Sequence, residues 1–142
     1  MSDFKVTRYK LRTSGMTVRG PEEPFSIVFL SDLHNKSYGK GNERLLQEIR
    51  NQDPEAVLIG GDLLTSADPP QMEVALELLK ELTRWYPIYA VNGNHEQRLK
   101  EQTEKYGDAY DYYSQAVRSF GVHLLENTSE YAEFCRMPFR IW

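Results

Sequence analysis

The 142-residue sequence predicts an α/β fold built on a mainly parallel sheet with helices on its faces. Two observations predict it. Short continuous apolar runs have the length of buried strands, and segments with apolar residues at helical spacing lie between them. This alternation implies βαβ crossovers and therefore parallel strands. The length and the 40% hydrophobic content fit a single globular domain.

Six segments have the pattern of strands. Residues 4–12 alternate in polarity and predict a half-buried edge strand. Residues 16–18 return beside it, so that 1–20 forms an edge strand or a hairpin. Three buried strands and a short fourth strand are predicted at 27–30, 56–59, 87–91 and 122–125.

Three helices are predicted between and after the buried strands. The first begins with Asn42 as its N-cap, the second begins at Asp68-Pro69-Pro70, and the third runs through Tyr112 to Phe120. With the buried strands, they make residues 25–125 the βα core of the domain.

Composition excludes several classes of protein. The net charge is −4 without a basic stripe, so we expect no nucleic-acid partner. The single cysteine, Cys135, cannot form an internal disulfide or a thiolate zinc site. We find no signal peptide and no apolar run near the ~20 residues that cross a membrane, and we therefore expect a cytoplasmic location.

Side chains able to bind a metal ion or a phosphate follow each buried strand. They are Asp32 and His34 after the first strand, Asp62 after the second, and Asn94, His95 and Glu96 after the third. Ligands of such sheets bind beyond the carboxyl ends of the strands, where these residues should meet. In an extended segment, residues i and i+2 point the same way, so Asp32 and His34 can hold one ion. Oxygen and nitrogen ligands without thiolate suit Mn, Fe, Zn or Mg.

Each of these residues also has an ordinary structural interpretation. A single Asp at a strand end is usually a helix cap or a turn residue, and a single His is more often a surface or core residue than a ligand. The coincidence of three such clusters at one sheet edge favours a functional site.

The same residues carry a family resemblance. Asp32-Leu33-His34, Gly60-Gly61-Asp62 and Gly93-Asn94-His95-Glu96 resemble, in order and spacing, the first three signature motifs of the calcineurin-like metallophosphoesterases, bacterial single-domain type. The resemblance covers roughly residues 25–125. It implies an αββα sandwich with the active site at the strand ends.

The resemblance also implies a role for each residue. Asp32 and His34 would hold the first of two divalent metal ions, Asp62 would bridge both ions, and Asn94 would bind the second ion and a phosphate oxygen. His95 would be the catalytic residue beside the phosphate, stabilising its charge or protonating the leaving group, with Glu96 in support. The implied activity is hydrolysis of a small-molecule, lipid or nucleotide phosphoester by a hydroxide that bridges the two ions.

The sequence departs from the family pattern after the third motif. The family continues with a further His and a Gly-His-x-His segment, which are absent here; the remaining His123 lies on an apolar strand. We therefore expect residues 1–142 to be the N-terminal part of one metallophosphoesterase domain, lacking its C-terminal half and with an incomplete metal centre. The apolar residues 137–142 would then lack a partner and favour association.

Two other functions compete with the hydrolase. The absent histidines favour a catalytically inactive metallophosphoesterase-like binding module, whereas the five intact motif residues favour descent from an active enzyme. A nucleotide-binding doubly wound domain is disfavoured, because neither G-x-G-x-x-G nor G-x-x-x-x-G-K-[ST] occurs in the sequence.

Overall fold

The computed structural model describes residues 3–12 and 24–142 and confirms the predicted α/β class. Four parallel strands form the main sheet in the order β1-β2-β3-β4. They are β1 (Ile27–Leu30), β2 (Ala56–Ile59), β3 (Ile88–Val91) and β4 (His123–Leu125). The helices are α1 (Glu43–Gln52), α2 (Glu73–Leu82), α3 (Asn94–Glu101), α4 (Thr103–Tyr106) and α5 (Ala109–Ser119). An antiparallel hairpin follows, formed by β5 (Glu130–Phe134) and β6 (Met137–Ile141).

The two faces of the main sheet are covered by different elements. Val57, Ile59 and Ile88 point to one face and share a continuous core with α1, α2 and α5. Ala56 and Tyr89 point to the other face and pack against the hairpin. Because the strand order follows the chain and such crossovers are right-handed, the crossover helices fall on one side. Helices thus cover one face of the main sheet, and the hairpin covers the other.

The N-terminal segment does not form the edge strand predicted at 4–12. Residues 3–12 contain no helix or strand, and Tyr9 and Leu11 are exposed. This segment instead contacts α1 and the loop that precedes α1. Arg8 pairs with Glu48 on the helix, and Phe4 packs edge-on against Tyr38 in the loop. The predicted return strand at 16–18 lies outside the described residues.

The first helix starts where it is predicted, and the second does not. Asn42 is the N-cap residue of α1, as predicted, but its side chain accepts a hydrogen bond from the Tyr38 backbone N–H and makes no capping hydrogen bond. α2 begins at Glu73, not at Asp68, because a residue that precedes proline is biased away from helical geometry. The third predicted helix is confirmed as α5.

The apolar residues 137–142 have a partner within the described chain, contrary to the prediction. They form β6, in which Met137 is buried and Phe139 and Ile141 pack against the sheet. Trp142, 84% exposed, is the exception.

Candidate active site

The loops after β1 and β2 continue side by side beyond the ends of the strands. The backbone N–H groups of Asp32 and His34 donate to the carbonyls of Gly61 and Asp62, at 3.2 and 3.0 Å. Leu33, which lies between them in the sequence, is buried. This backbone pairing brings the first two motifs together at the carboxyl edge of the sheet.

Asp32 and His34 approach each other through a geometry that the sequence did not predict. Both residues are left-handed, with φ of 59° and 50°, rather than extended. Their side chains nevertheless converge, with His34 Nε2 3.9 Å from Asp32 Oδ1. Ligand bonds to a divalent ion such as zinc are ~2.0–2.2 Å, so two of them can span this gap. The donor types and their spacing therefore fit a single divalent ion, to which both side chains are accessible.

The backbones of the second and third motifs are in close contact. Gly61 has a φ of 94°, and a Cβ atom on it would lie 2.3 Å from the backbone nitrogen of Gly93. A Cβ atom on Gly93 would lie 2.4 Å from Asp62 Oδ1. Only glycine fits at both positions, and this explains why these two motifs need glycine where they meet.

Asp62 serves as a helix cap in this structure. Its Oδ1 accepts a hydrogen bond of 2.9 Å from the backbone N–H of His95, in the first turn of α3. A negative charge at a helix N-terminus is favourable because it meets the free N–H groups and the positive end of the helix dipole. Asp62 thus has the capping role that its ordinary interpretation gives it. The same hydrogen bond holds the Asp62 carboxylate between the first and third motifs.

Glu96 fastens the second motif to the third. It is only 1% exposed, although it carries a carboxylate. Its Oε2 accepts from the N–H groups of Asp62 and Gly93, at 2.9 and 2.8 Å, and its Oε1 accepts from Leu64 N–H, at 2.8 Å. A buried carboxylate needs such donors, and here they come from both loops. Glu96 is therefore a structural clamp that holds the two loops together. This is a physical basis for the supporting role that the resemblance implies.

His95 lies between the first motif and the loop that follows β2. Its ring stands edge-on to the ring of His34, with the ring centroids 5.1 Å apart. On its other side, Nδ1 is 2.9 Å from the backbone nitrogen of Ser66 and 2.8 Å from Ser66 Oγ. Sequence reasoning missed Ser66, because nothing in its local pattern separates it from an ordinary loop serine.

Asn94 is the first residue of α3 and is exposed. Within residues 3–12 and 24–142, no three His, Cys, Asp or Glu side chains are grouped so that they could hold a metal ion. The structure pairs Asp32 with His34 and joins Asp62 to the His95 backbone. The full ligand set of Asp32, His34, Asp62 and Asn94 remains a prediction.

An ionic network surrounds Glu126, the residue that directly follows β4. Glu126 Oε1 accepts from Tyr110 OH and Lys100 Nζ, at 2.5 and 2.7 Å, and Oε2 accepts from Arg118 at 3.0 Å. Burial alone would raise the pKa of Glu126, but these hydrogen bonds and the charges of Lys100 and Arg118 lower it. Burial, with the Glu126 hydrogen bond, raises the pKa of Tyr110 to about 12. The network ties α3, α5 and the end of β4 together.

Fold and site define a parallel α/β protein with an acid–histidine cluster at the carboxyl edge of its sheet. The sequence profile of the calcineurin-like phosphoesterases matches residues 25–135. The chain belongs to this family, and its resemblance to metallophosphoesterases is confirmed.

Two relatives from Bacillus subtilis (strain 168) align with the chain. One is described as the uncharacterized metallophosphoesterase YkoQ and is 33% identical over 102 residues, covering 70% of this chain and 37% of the relative. The other is described as the uncharacterized protein YpbG and is 28% identical over 127 residues, covering 88% of this chain and 43% of the relative. The chain thus spans less than half the length of either relative. No solved structure matches the chain significantly. Among the described residues, no helix combines the length and apolarity that membrane crossing requires.

Proposed function

We propose that the chain supplies the first metal site and the phosphate-facing histidine of a dinuclear, metal-dependent phosphoesterase. The observation that carries the proposal is the 3.9 Å pairing of Asp32 Oδ1 with His34 Nε2, at the sheet edge that also holds Asp62. Family membership supports it, because metal-dependent hydrolysis is general in this family.

Each of the metal ligands would have its own role. Asp32 and His34 would hold the first divalent ion, Asp62 would extend its carboxylate toward a second ion, and Asn94 would add a neutral amide oxygen there. The two carboxylates would neutralise part of the charge of the ions and leave a positive site for an anionic phosphoester. Bound divalent ions supply a polarised phosphoryl oxygen and a water whose pKa falls to about 7.

His95 would act on the substrate and not on the metal. Its backbone is held by Asp62 and its ring lies beside His34, so it faces the region where a phosphoester would bind. There its ring N–H would donate to a phosphate oxygen or to the leaving group. The substrate class we propose is a small-molecule, lipid or nucleotide phosphoester.

Zinc binding by the 142-residue chain tests the first metal site. Isothermal titration calorimetry with Zn²⁺ should show one weak site that His34→Ala and Asp32→Ala each weaken at least ~10-fold, since each removes a direct ligand. The matched control is His123→Gln, because His123 is an exposed histidine that pairs with Glu130 on β5, away from this edge. Binding that His123→Gln abolishes, and His34→Ala leaves intact, would refute the assignment.

Turnover of a chromogenic phosphodiester by the same chain separates the enzyme from its alternative. Hydrolysis that needs Zn²⁺ or Mn²⁺ and is lost in His95→Gln supports the phosphoesterase. Metal binding at Asp32 and His34 without any turnover is also the result expected of an incomplete metal centre, so it supports the inactive metallophosphoesterase-like binding module only if a version of the chain that supplies the family's further histidines is inactive as well.

A further inference from the structure

The hydrogen bonds of His95 determine which of its ring nitrogens carries the proton. The Ser66 backbone N–H points at Nδ1 from 2.9 Å, and a backbone N–H can only donate. Nδ1 must therefore accept, with its lone pair facing Ser66. In a neutral imidazole one nitrogen accepts and the other carries the proton, so the proton resides on Nε2.

The hydroxyl of Ser66 is oriented to reinforce this arrangement. Arg98 Nη1 donates to Ser66 Oγ at 3.0 Å. Because an arginine side chain can only donate, this hydrogen bond uses a lone pair of the Ser66 oxygen and not its proton. The hydroxyl proton is then free to point at His95 Nδ1, 2.8 Å away. Tyr106 OH donates to the Ser66 carbonyl at 2.9 Å and holds the residue from its other side.

We propose that Ser66 is a positioning residue that fixes His95 as its Nε2–H tautomer. The inference rests on the proposed function for its purpose: a fixed Nε2–H offers a hydrogen-bond donor to a phosphoester oxygen. The same tautomer leaves Nε2 without a lone pair, so the neutral ring neither ligates a metal nor accepts a proton through that nitrogen. Ser66 thereby separates the role of His95 from that of the neighbouring His34.

The opposite tautomer is disfavoured by the same contacts. A proton on Nδ1 would face the fixed Ser66 N–H and break its hydrogen bond. The hydroxyl could rotate to accept, but the backbone N–H cannot, and it would lose its partner at a part-buried position. The backbone donor thus selects a single neutral state of the ring, and the hydroxyl reinforces it.

Nitrogen NMR of the metal-free chain reads the tautomer directly. The 142-residue protein, with ¹⁵N-labelled histidine, is recorded by long-range ¹H–¹⁵N correlation at about pH 8, above the ordinary His pKa of ~6.5. His95→Gln identifies the His95 signals by their loss. We expect Nε2 at the shift of a protonated nitrogen and Nδ1 at the shift of an unprotonated, hydrogen-bonded nitrogen. A protonated Nδ1, or averaged shifts for the two nitrogens, would overturn the proposal.

Two variants of Ser66 test the contribution of its hydroxyl. Ser66→Ala keeps the backbone donor, so the Nε2–H tautomer should persist while the Nδ1 signal moves toward that of a nitrogen without a second hydrogen bond. Ser66→Thr should restore the wild-type shift. Ser119→Ala is the control, because its hydroxyl donates to a carbonyl on the surface of α5 and should leave His95 unchanged. An Nδ1 signal that Ser66→Ala does not move would refute a role for the hydroxyl.

This measurement needs neither metal nor substrate. A chain that binds no Zn²⁺ but shows the fixed Nε2–H would contradict the proposed function and leave the positioning role intact. A chain that binds Zn²⁺ and shows a protonated Nδ1 would support the proposed function and contradict the positioning role of Ser66.

Discussion

The two faces of the main sheet differ in how completely they are covered. On the helix side, Val57, Ile88 and Leu79 are 0% exposed. On the hairpin side, Tyr89 is buried under the hairpin, but Phe29, on the edge strand β1, is 66% exposed. Three stacked helices bury a sheet face more fully than one two-stranded ribbon does.

The candidate site is supported from the well-covered side. Leu33 in the first motif and Leu63 and Leu64 after the second belong to the same core as the helices. The loops that carry Asp32 and Asp62 are therefore anchored in the helix-side core. The position of this candidate site therefore depends on the helix-side core.

Truncation of one side chain on each face gives the largest expected difference. Leu79→Ala on the helix side should lower the free energy of unfolding by ~2–5 kcal/mol, because it leaves a cavity in a closed core. Phe29→Ala on the hairpin side should cost less than ~1 kcal/mol, because most of the ring already contacts water. Urea unfolding followed by circular dichroism measures both. Equal losses would contradict the difference between the faces.

Removal of the charge of Glu96 should have an intermediate effect. Glu96→Gln keeps the side-chain volume, but its amide group cannot accept at both ends, so at least one backbone N–H loses its partner. The expected cost is ~1–3 kcal/mol in the same unfolding assay. Glu77→Gln is the matched control on the exposed side of α2 and should lie within ~0.5 kcal/mol of wild type. A similar loss in both variants would show that Glu96 is not a clamp.

The network around Glu126 should give the smallest effect, since its ion pairs are partly exposed. The pKa of Glu126 is lowered in the folded chain, so its contribution to stability is complete above the ordinary glutamate pKa. That contribution is lost as the pH falls through the lowered folded-state pKa. Thermal unfolding from about pH 7 to about pH 3 should therefore show a weaker acid dependence in Glu126→Gln than in wild type. If stability fell with pH to the same extent in Glu126→Gln and in wild type, other groups would be responsible for the acid sensitivity.

Apolar periodicity predicted most of the fold. Continuous apolar runs predicted β1 to β4, and apolar residues at helical spacing predicted α1, α2 and α5. Both patterns arise because these elements bury one or both of their faces. Helix α3 was missed because only Leu99 and Glu96 are buried among its polar residues. The available signal was Glu96 three residues after Gly93, the spacing at which a glutamate side chain accepts from the backbone N–H of the N-cap residue.

The hairpin was missed because its turn lacks the usual glycine signal. Cys135 and Arg136 connect β5 to β6 and both have positive φ, at 49° and 63°. Two-residue hairpin turns of this kind commonly use Asn-Gly or Asp-Gly, and a Cys-Arg pair gives no such indication.

The sequence indicates the residues of the candidate site but not their contacts. The positions of Asp32, His34, Asp62, Asn94 and His95 after apolar runs were visible in the sequence. The left-handed backbone of Asp32 and His34 was not, because it follows from the hydrogen bonds between neighbouring loops. The contact of Ser66 with His95 joins residues 29 positions apart and required the three-dimensional arrangement.

Anomalous diffraction from crystals soaked in Zn²⁺ tests the metal assignment most directly. If Asp32 and His34 hold the first ion, a zinc peak will lie about 2.0–2.2 Å from Asp32 Oδ1 and from His34 Nε2. The same peak should be absent from crystals of His34→Ala. A wild-type map with zinc only at His123 and Glu130, and none at the sheet edge, would contradict the assignment of this edge as a metal site.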